Sequence, residues 1–390
     1  MSLVLGISAY YHDSAATLID DNKILSAIQE ERFSRIKNDQ NFPILAIKNI
    51  LKQNNISLRD ISSIVFYEKP LIKFERIIET SLLNVPKGFR QFKASMPIWI
   101  KDKLFLKRKI FKELHSIDKD FDISKIKFSS HHLSHAASAF FPSPFKKASI
   151  ITIDGVGEWS TTTVAEGNEN HIKILKEIRY PHSLGLLYSS FTYFLGFKVN
   201  SGEYKLMGLS PYGEPTFRDK IMNNLINIYD DGSFKINQKY FSYSTSDIMI
   251  NKNFCDLFGI KPKLPEENFT KIHLDIASSI QSVLNEAIMN LVKSVKNELQ
   301  SDYLCLSGGV ALNCVSNYHI QKSNLFKKIW IQPAAGDAGG ALGAAYAYKF
   351  HFENKKRNVD KKDSMNRALL GPSYTDDEIL KVIRKFKLKY

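Results

Sequence analysis

The sequence predicts an α/β protein with two similar lobes, and three observations support this: chain length, a repeated strand pattern and a series of glycine turns. A chain of 390 residues with 44% apolar residues can bury a large core, and this length favours two packed units. Each half opens with three strand-like stretches that are separated by short turns, at 3–9, 15–19 and 24–29 and again at 149–153, 161–166 and 171–178. The second half therefore looks like a copy of the first.

Helices are expected between the strands because apolar residues recur there at helical spacing. Pro43 suits the first turn of one helix, a strand follows at 61–67, and a long helix at 268–299 leads into a strand at 303–306. Another helix is expected at 184–195. Glycine turns at 307–309 and 336–340 each join a strand to a helix, and in such proteins ligands bind at the carboxyl ends of the strands. Two lobes of this kind would enclose a cleft.

The domain boundaries follow from these patterns. We expect lobes at about 1–148 and 149–352, a charged linker at 353–368, and a new strand-and-helix pattern at 369–390. The segment 230–263 reads as an insertion that shapes a ligand pocket.

Composition excludes several classes of protein. No apolar run reaches the roughly 20 residues of a membrane span, and the N-terminus lacks the charged start and cleavage site of a signal peptide, so we expect a cytoplasmic protein. The three cysteines form no CxxC pair, which argues against a zinc ribbon and a disulfide framework.

The chain carries a formal charge of +14, which leaves nucleotides, nucleic acids and acidic surfaces open as partners. Part of this excess lies between Lys87 and Lys112, where basic residues alternate with aromatic ones. We interpret this basic stretch as a solvated helical face with snorkelling lysines.

His131 and His135 are four residues apart in an apolar pattern that predicts a helix, so both imidazoles would project from one face. That spacing suits a divalent metal, although it also arises by chance among ten histidines. Asp337 lies in a glycine-rich turn that would point at the cleft, where it is either a third ligand or a helix cap. Two imidazoles and one carboxylate leave coordination positions open, as in sites for iron(II) or a similar ion.

Two glycine pairs, Gly308-Gly309 and Gly339-Gly340, suit either phosphate binding at a helix N-terminus or a purely structural turn. Neither pair matches a Walker or Rossmann motif. Asp154 opens a turn that either orients a metal or a phosphate or is an ordinary hairpin turn. His12 and Asp13 follow the first strand, where they form either a general base with its orienting carboxylate or a hydrogen-bonded turn pair.

Seven blocks, in order along nearly the whole chain, resemble the O-carbamoyltransferases of nodulation-factor and antibiotic biosynthesis. The longer blocks are specific to that family. They are residues 12–16 (HDSAA), 30–35 (EERFSR), 131–140 (HHLSHAASAF), 154–158 (DGVGE), 202–209 (GEYKLMGL), 307–313 (SGGVALN) and 336–341 (GDAGGA). The resemblance implies a duplicated actin/hexokinase-like fold of the ASKHA class, with ribonuclease H-like lobes.

The resemblance also implies a reaction and its residues. His131, His135 and Asp337 would hold an iron(II)-type ion, and His12, oriented by Asp13, is the candidate base. A carbamoyl-adenylate, made from ATP, would pass its carbamoyl group to a hydroxyl of a small-molecule acceptor. The residues expected around the adenylate are Lys205, Gly208, Gly308, Gly309, Asn313, Gly339 and Gly340.

In that family a separate C-terminal domain makes the carbamoyl-adenylate from carbamoyl phosphate and ATP. Residues 370–378 look like the opening of such a domain, and the sequence stops soon after them. We therefore expect residues 1–352 to form the carbamoyl-transfer domain, and the adenylate to come from a separate domain or chain.

Two other functions stay open. Threonylcarbamoyl transfer to tRNA would share the histidine pair and the glycine loops and would use the positive charge. The blocks at His12 and Glu30 fit the O-carbamoyl family better, so no nucleic-acid partner is expected. Alternatively, the chain binds a nucleotide without catalysing a reaction.

Overall fold

The computed structural model describes residues 2–21, 23–89, 92–93, 96, 105–359 and 363–390. Most of the basic stretch at 90–104 lies outside these residues. The strands of the described residues, β1 to β12 in chain order, are Leu3–Ser8, Ala15–Ile19, Ile24–Gln29, Ile61–Phe66, Ile126–Phe128, Lys147–Ile153, Ser160–Asn168, His171–Arg179, Ile226–Ile228, Phe234–Ile236, Tyr303–Ser307 and Lys328–Ile331.

The α-helices of the described residues complete this framework. In chain order, α1 to α13, they are Glu31–Ser34, Ile44–Gln53, Pro70–Leu83, Leu106–Ile117, His131–Phe140, Leu184–Phe194, Glu203–Leu209, Arg218–Asn224, Lys252–Phe258, Lys271–Leu299, Cys314–Lys322, Asp337–Tyr346 and Asp376–Lys385. Helix α12 continues as a π-helix, Ala347–Phe352. No helix in the described ranges combines the length and apolar character needed to cross a bilayer.

Two five-stranded sheets share one topology. The first has the order β3-β2-β1-β4-β5, and the second, read from its outer antiparallel edge, has the order β8-β7-β6-β11-β12. In both sheets the first three strands pair antiparallel and the last two pair parallel. The same order in both halves confirms the predicted duplication, which is the ribonuclease H-like arrangement of the ASKHA fold.

Helices α5 and α12 lie between the two sheets, and each packs against the sheet of the other half. Helix α5 comes from the first half but packs on β6, β7 and β11, whereas α12 comes from the second half but packs on β1, β2 and β4. The two helices also pack against each other. The predicted lobe boundary near residue 148 stays a prediction, but the two halves exchange a helix across it.

Glycine permits this close packing. A Cβ atom added at Gly343 would lie 1.7 Å from the carbonyl oxygen of Ser134, so the backbones of α12 and α5 touch at this point. A Cβ atom at Gly6 would lie 1.8 Å from the carbonyl oxygen of Ala341, which brings α12 equally close to β1. Both contacts are with backbone atoms, so neither can be relieved by a side-chain rotation.

The predicted linker at 353–368 is anchored to the fold in its described residues. Arg357 is buried and donates hydrogen bonds to five backbone carbonyls, two of which, those of Phe140 and Phe141, belong to the C-terminal end of α5. Its guanidinium carbon also lies 4.5 Å from the ring centroid of Phe140. A charged segment without apolar periodicity thus holds the end of a buried helix, because one arginine satisfies carbonyls that the helix leaves unpaired.

The predicted strand after residue 369 is wrong. Residues 369–375 form no strand, and only the carbonyl of Leu370 bonds to the first sheet, through the amide of Ala27. The predicted helix is present as α13, capped by Thr375 and Glu378, and none of its residues is buried.

We expect Gly343→Ala to lower the free energy of unfolding by at least about 2 kcal/mol, because the new methyl group overlaps the backbone of Ser134. Urea unfolding followed by circular dichroism measures this change. The matched control is Gly208→Ala on α7, where no atom lies within 4 Å of the added Cβ and the change should stay within about 1 kcal/mol. Equal unfolding midpoints for the two variants would contradict the helix contact.

Arg357→Ala should lower the free energy of unfolding by about 3 kcal/mol, since it removes the donor to the carbonyls of Phe141, Ser143 and Phe145. The same urea titration measures it. Arg384→Ala, which removes an exposed arginine from α13, is the control and should change stability by less than about 0.5 kcal/mol. A loss at Arg357 no larger than the control would show that this segment does not anchor α5.

Candidate metal centre and ligand cavity

Four ionisable side chains converge in the layer between the two sheets. They are His131, His135, Asp154 and Asp337, all of them buried, and one potential ligand atom from each lies within 4.8 Å of the others. The two Nε2 atoms of the imidazoles are 3.0 Å apart, and that of His131 is also 3.0 Å from Oδ2 of Asp154. Oδ1 of Asp337 lies 3.6 Å from Nε2 of His135 and 3.7 Å from that of His131.

The exchanged helices bring this cluster together. Both histidines project from one face of α5, as their spacing predicts, and Asp337 is the first residue of α12. Asp154 follows directly after β6, at the carboxyl end of a central strand of the second sheet. The contact between α5 and α12 therefore fixes the distance between the imidazoles and Asp337.

A carboxylate holds the N-terminus of the histidine helix. Glu158 accepts a hydrogen bond from the amide of His131 at 3.0 Å and another from the amide of Lys69 at 2.8 Å. An acidic group at this position satisfies an unpaired helix amide and interacts favourably with the helix dipole. Glu158 thus ties the start of α5 to the turn that carries Asp154.

Two further groups orient the carboxylates. The hydroxyl of Tyr67 donates to Oδ2 of Asp337 at 3.1 Å, and the amide of Gly309 donates to Oδ1 of Asp154 at 2.9 Å. One oxygen of each carboxylate is therefore held by a neutral donor, while the other faces the imidazoles. Such outer contacts are typical of metal sites, where they fix the ligand geometry.

Electrostatics keep the carboxylates charged. Burial opposes ionisation of Asp337, but His12, His135 and His131 outweigh it, so the pKa of this carboxyl lies well below its usual range. Burial likewise disfavours a protonated His135, yet hydrogen bonds to Asp154 and Asp337 raise its pKa to about 9. A proton on His135 thus offsets part of the charge of the two carboxylates, and a bound cation would take over that role and release the proton.

The donor set fits a divalent transition-metal ion. Ligand atoms bound at about 2.0–2.2 Å to one ion stand about 3 Å apart, close to the observed separation of the two Nε2 atoms. Imidazole nitrogens mixed with carboxylate oxygens suit iron, zinc or a similar ion better than calcium or magnesium. The sequence predicts His131, His135 and Asp337 as metal ligands and places Asp154 in a turn that orients a metal or phosphate; the structure brings all four side chains together.

A cavity of about 260 Å³ adjoins the cluster. Asp154 lines it, as do His12 and Asp13 from the first half and Gly309 and Asn313 from the second. Apolar and aromatic side chains form much of the remaining wall, among them Tyr11, Leu186, Tyr188, Tyr204, Met207, Leu284 and Leu312. The structure therefore places four residues of the predicted catalytic and adenylate sets in one cavity beside the cluster.

His12 and Asp13 form a pair within this cavity. Nδ1 of His12 lies 2.8 Å from Oδ2 of Asp13, and its Nε2 lies 3.8 Å from Oδ2 of Asp337. Burial opposes protonation of His12, but the carboxylates of Asp337 and Asp13 outweigh it and raise the pKa of the imidazole to about 9. Asn38 donates to the other oxygen of Asp13 at 2.6 Å, which fixes the pair in place.

Five of the residues expected around the adenylate do not line the cavity. Lys205 and Gly208, both on α7, are exposed to solvent. Gly308 has a φ of 90° and packs against the backbone of Ile153. Gly339 abuts the carbonyl of Ala334, and Gly340 leaves room for the ring of Tyr67.

Asn313 lines the cavity and is held there by its own hydrogen bonds. Its amide group exchanges two hydrogen bonds with the amide of Gln281, at 2.9 and 3.1 Å. Its Oδ1 also accepts from the amide of Ser316 at 2.9 Å, which caps helix α11. Gln281 in turn accepts a hydrogen bond from the hydroxyl of Tyr188, so a buried polar network forms one end of the cavity.

Comparisons with known proteins identify the family of this chain. The family model described as "Carbamoyltransferase N-terminus" matches residues 3–346. The chain is 51% identical over 381 residues to the uncharacterized protein sll1178 of Synechocystis sp., with 97% of this chain and 62% of that protein covered. It is 32% identical over 370 residues to the nodulation protein NolNO of Sinorhizobium fredii, with 95% of this chain and 50% of that protein covered.

The chain thus spans between half and two thirds of the length of these relatives. Among solved structures, it resembles component A of the (R)-2-hydroxyglutaryl-CoA dehydratase of Acidaminococcus fermentans, with a TM-score of 0.43, 16% identity, and coverage of 91% of this chain and 100% of the other. Family assignment rests on the sequence matches, which reach across nearly all of the residues that build both sheets and the cluster between them. The chain belongs to the carbamoyltransferase family.

Proposed function

We propose that this chain transfers a carbamoyl group from carbamoyl-adenylate to a hydroxyl of a small-molecule acceptor. The observation that carries the proposal is the convergence of His131, His135, Asp154 and Asp337 beside a cavity whose wall includes Asp154. Membership of the carbamoyltransferase family supports the carbamoyl group as the transferred unit. We propose in addition that the donor is carbamoyl-adenylate and that the group which receives the carbamoyl unit is a hydroxyl.

His131, His135 and Asp337 would hold an iron(II)-type ion, and we add Asp154 as a fourth ligand. An ion bound there supplies Lewis-acid chemistry, since it polarises a carbonyl group and stabilises the oxyanion that forms when that carbonyl is attacked. Tyr67 and Gly309 would keep the two carboxylates in place throughout the reaction.

The 260 Å³ cavity would hold the adenylate. Gly309 and Asn313 are the members of the predicted set that line it, and the aromatic rings of Tyr188 and Tyr204 offer surfaces for a nucleobase. Lys205 and Gly208, on the same helix, do not line the cavity. In this proposal they do not contact the adenylate, and Met207 and Glu203 take the positions that face it.

His12 is the candidate general base. The acceptor hydroxyl oxygen forms a bond to the carbamoyl carbon, its proton passes to Nε2 of His12, and the bond from that carbon to the phosphate oxygen breaks to release AMP. Asp13 holds Nδ1 of His12, which orients the ring and stabilises its protonated form. A cation bound at Asp337 would offset the negative charge that raises the pKa of His12. His12 would then lose its proton more easily, and the neutral ring could accept the proton of the acceptor hydroxyl.

The purified chain should bind one iron(II) ion, and His131→Ala should reduce the affinity at least about 100-fold because it removes a ligand. Tyr67→Phe keeps every ligand but removes the donor to Asp337, so it should cost about 10- to 100-fold. Anaerobic titration with elemental analysis measures both. His171→Ala, in β8 and exposed, is the control and should bind iron as the unmodified chain does. Full affinity in His131→Ala would reject the cluster as the metal site.

The iron-loaded chain, given synthetic carbamoyl-adenylate and a panel of hydroxyl compounds, should release AMP together with a carbamoylated product detected by mass spectrometry. His12→Ala should lower the rate about 100-fold or more and keep its metal, since proton transfer from the hydroxyl loses its acceptor. His319→Ala, exposed on α11, is the control.

Each alternative function has its own outcome in this assay. Adenylate binding without any product would favour a nucleotide-binding protein that is not a catalyst. If no small acceptor is carbamoylated and the chain binds tRNA at moderate salt, the result would favour threonylcarbamoyl transfer to tRNA.

A further inference from the structure

Tyr11 is a residue of the cavity that the predicted site did not include. It stands next to His12 in the segment that follows β1, and both residues line the cavity together with Asp154. The rings of Tyr11 and His12 are in contact, with centroids 4.6 Å apart. Tyr11 is 40% exposed, so a ligand that reaches His12 within this cavity also meets the tyrosine.

A buried ion pair contacts the Tyr11 ring. Nζ of Lys73, on α3, lies 2.6 Å from Oε2 of Glu68, and both side chains are buried. The same ammonium group lies 4.9 Å from the centroid of the Tyr11 ring, which is within the range of a cation–π contact. The ring therefore has two fixed neighbours, the Lys73 ammonium group and the imidazole of His12.

The Tyr11 hydroxyl is available as a hydrogen-bond donor. The side-chain amide of Asn200, which comes from the second half and lines the same cavity, donates toward the phenol oxygen. Within the described part of the chain, no residue accepts a hydrogen bond from this hydroxyl. A phenol oxygen that accepts one hydrogen bond keeps its own proton for a second partner. A ligand in the cavity can be that partner.

The surroundings keep this hydroxyl protonated. Removal from bulk water raises the pKa of Tyr11 above its ordinary value; Lys73 opposes this effect, and the negative charges of Asp337 and Asp154 add to it. A neutral phenol donates a hydrogen bond to an anion, which an ionised phenolate could not do. Tyr11 is thus suited to an anionic group of the ligand.

A phosphate group needs such a donor here, because the carboxylates of Asp13 and Asp154 line the same cavity and would repel it. Neighbouring donors are already engaged within the protein. The amide of Gly309 donates to Asp154, and Nδ1 of His12 contacts Asp13. The hydroxyl of Tyr11 adds a donor that neither of these contacts uses.

We propose that Tyr11 is a further catalytic residue, whose hydroxyl donates a hydrogen bond to the phosphate of the bound adenylate and stabilises AMP as it leaves. The inference rests on the proposed function, which supplies the adenylate. The acceptor oxygen bonds to the carbamoyl carbon, its proton goes to His12, and the electron pair of the broken bond goes to the phosphate oxygen. Negative charge on the phosphate grows in this step, so the hydrogen bond strengthens while Tyr11 keeps its own proton.

Calorimetric titration with AMP and with adenosine tests the phosphate contact without any carbamoyl transfer. Tyr11→Phe removes only the hydroxyl, so it should weaken AMP binding about 10- to 100-fold and change adenosine binding by less than about twofold. Tyr318→Phe, exposed on α11, is the matched control and should bind both ligands as the unmodified chain does.

Turnover gives a second readout. With saturating carbamoyl-adenylate and an acceptor, Tyr11→Phe should lower kcat about 10-fold or more, because the lost hydrogen bond is stronger in the transition state than in the bound donor. An unchanged kcat would reject the catalytic role.

The nucleotide titrations separate this inference from the proposed function. Equal AMP affinities in Tyr11→Phe and the unmodified chain, or equal losses for AMP and adenosine, would overturn the inference alone. Failure of the unmodified chain to bind AMP would overturn it together with the proposed adenylate site.

Discussion

The backbone contact between α5 and α12 is the constraint on which the site depends. Gly343 lets the two helices touch at Ser134, the residue before His135, and Gly6 lets α12 pack closely on the first sheet. The imidazoles stand on one helix and Asp337 on the other, so the distance between them is set by atoms that cannot move aside. A catalytic site that needs its groups placed within a fraction of an ångström gains this accuracy from rigid elements more readily than from loops.

This arrangement buries several ionisable groups in a dry layer, which is costly for each of them alone. They are tolerated because they compensate one another: two carboxylates face two imidazoles, and Tyr67 and Gly309 satisfy the remaining oxygens. Among the imidazoles, His135 owes its raised pKa to hydrogen bonds and charge from Asp154 and Asp337. The opposite charges of these groups therefore offset part of the cost of burying them.

Much of the fold was predictable because its signals are local and periodic. The strand patterns, the glycine turns and the spacing of His131 and His135 each extend over only a few residues. Each of them predicted an element that the structure contains. Local patterns could not predict the whole cluster, since Asp154 and Asp337 are far apart in sequence and meet only through the packing of the exchanged helices. Asp154 nevertheless carried a signal: an apolar strand that ends in an acidic residue and a glycine.

The predicted adenylate residues on α7 show where sequence reasoning falls short. Residues in one motif need not share a face, because a helix turns by about 100° per residue. Glu203, Tyr204 and Met207 line the cavity, whereas Lys205 and Gly208 do not. A strand was likewise expected after residue 369 from its composition, but residues 369–375 find only one backbone partner on the first sheet.

The helix exchange has a consequence for the order of events during synthesis. Domains usually fold in sequence as they leave the ribosome. Here the first sheet cannot cover its inner face until Asp337–Tyr346 has been made, since α12 supplies that cover from more than 300 residues further along the chain than β1. The apolar residues on that face of the N-terminal strands therefore lack their final partner until the chain has been synthesised as far as α12.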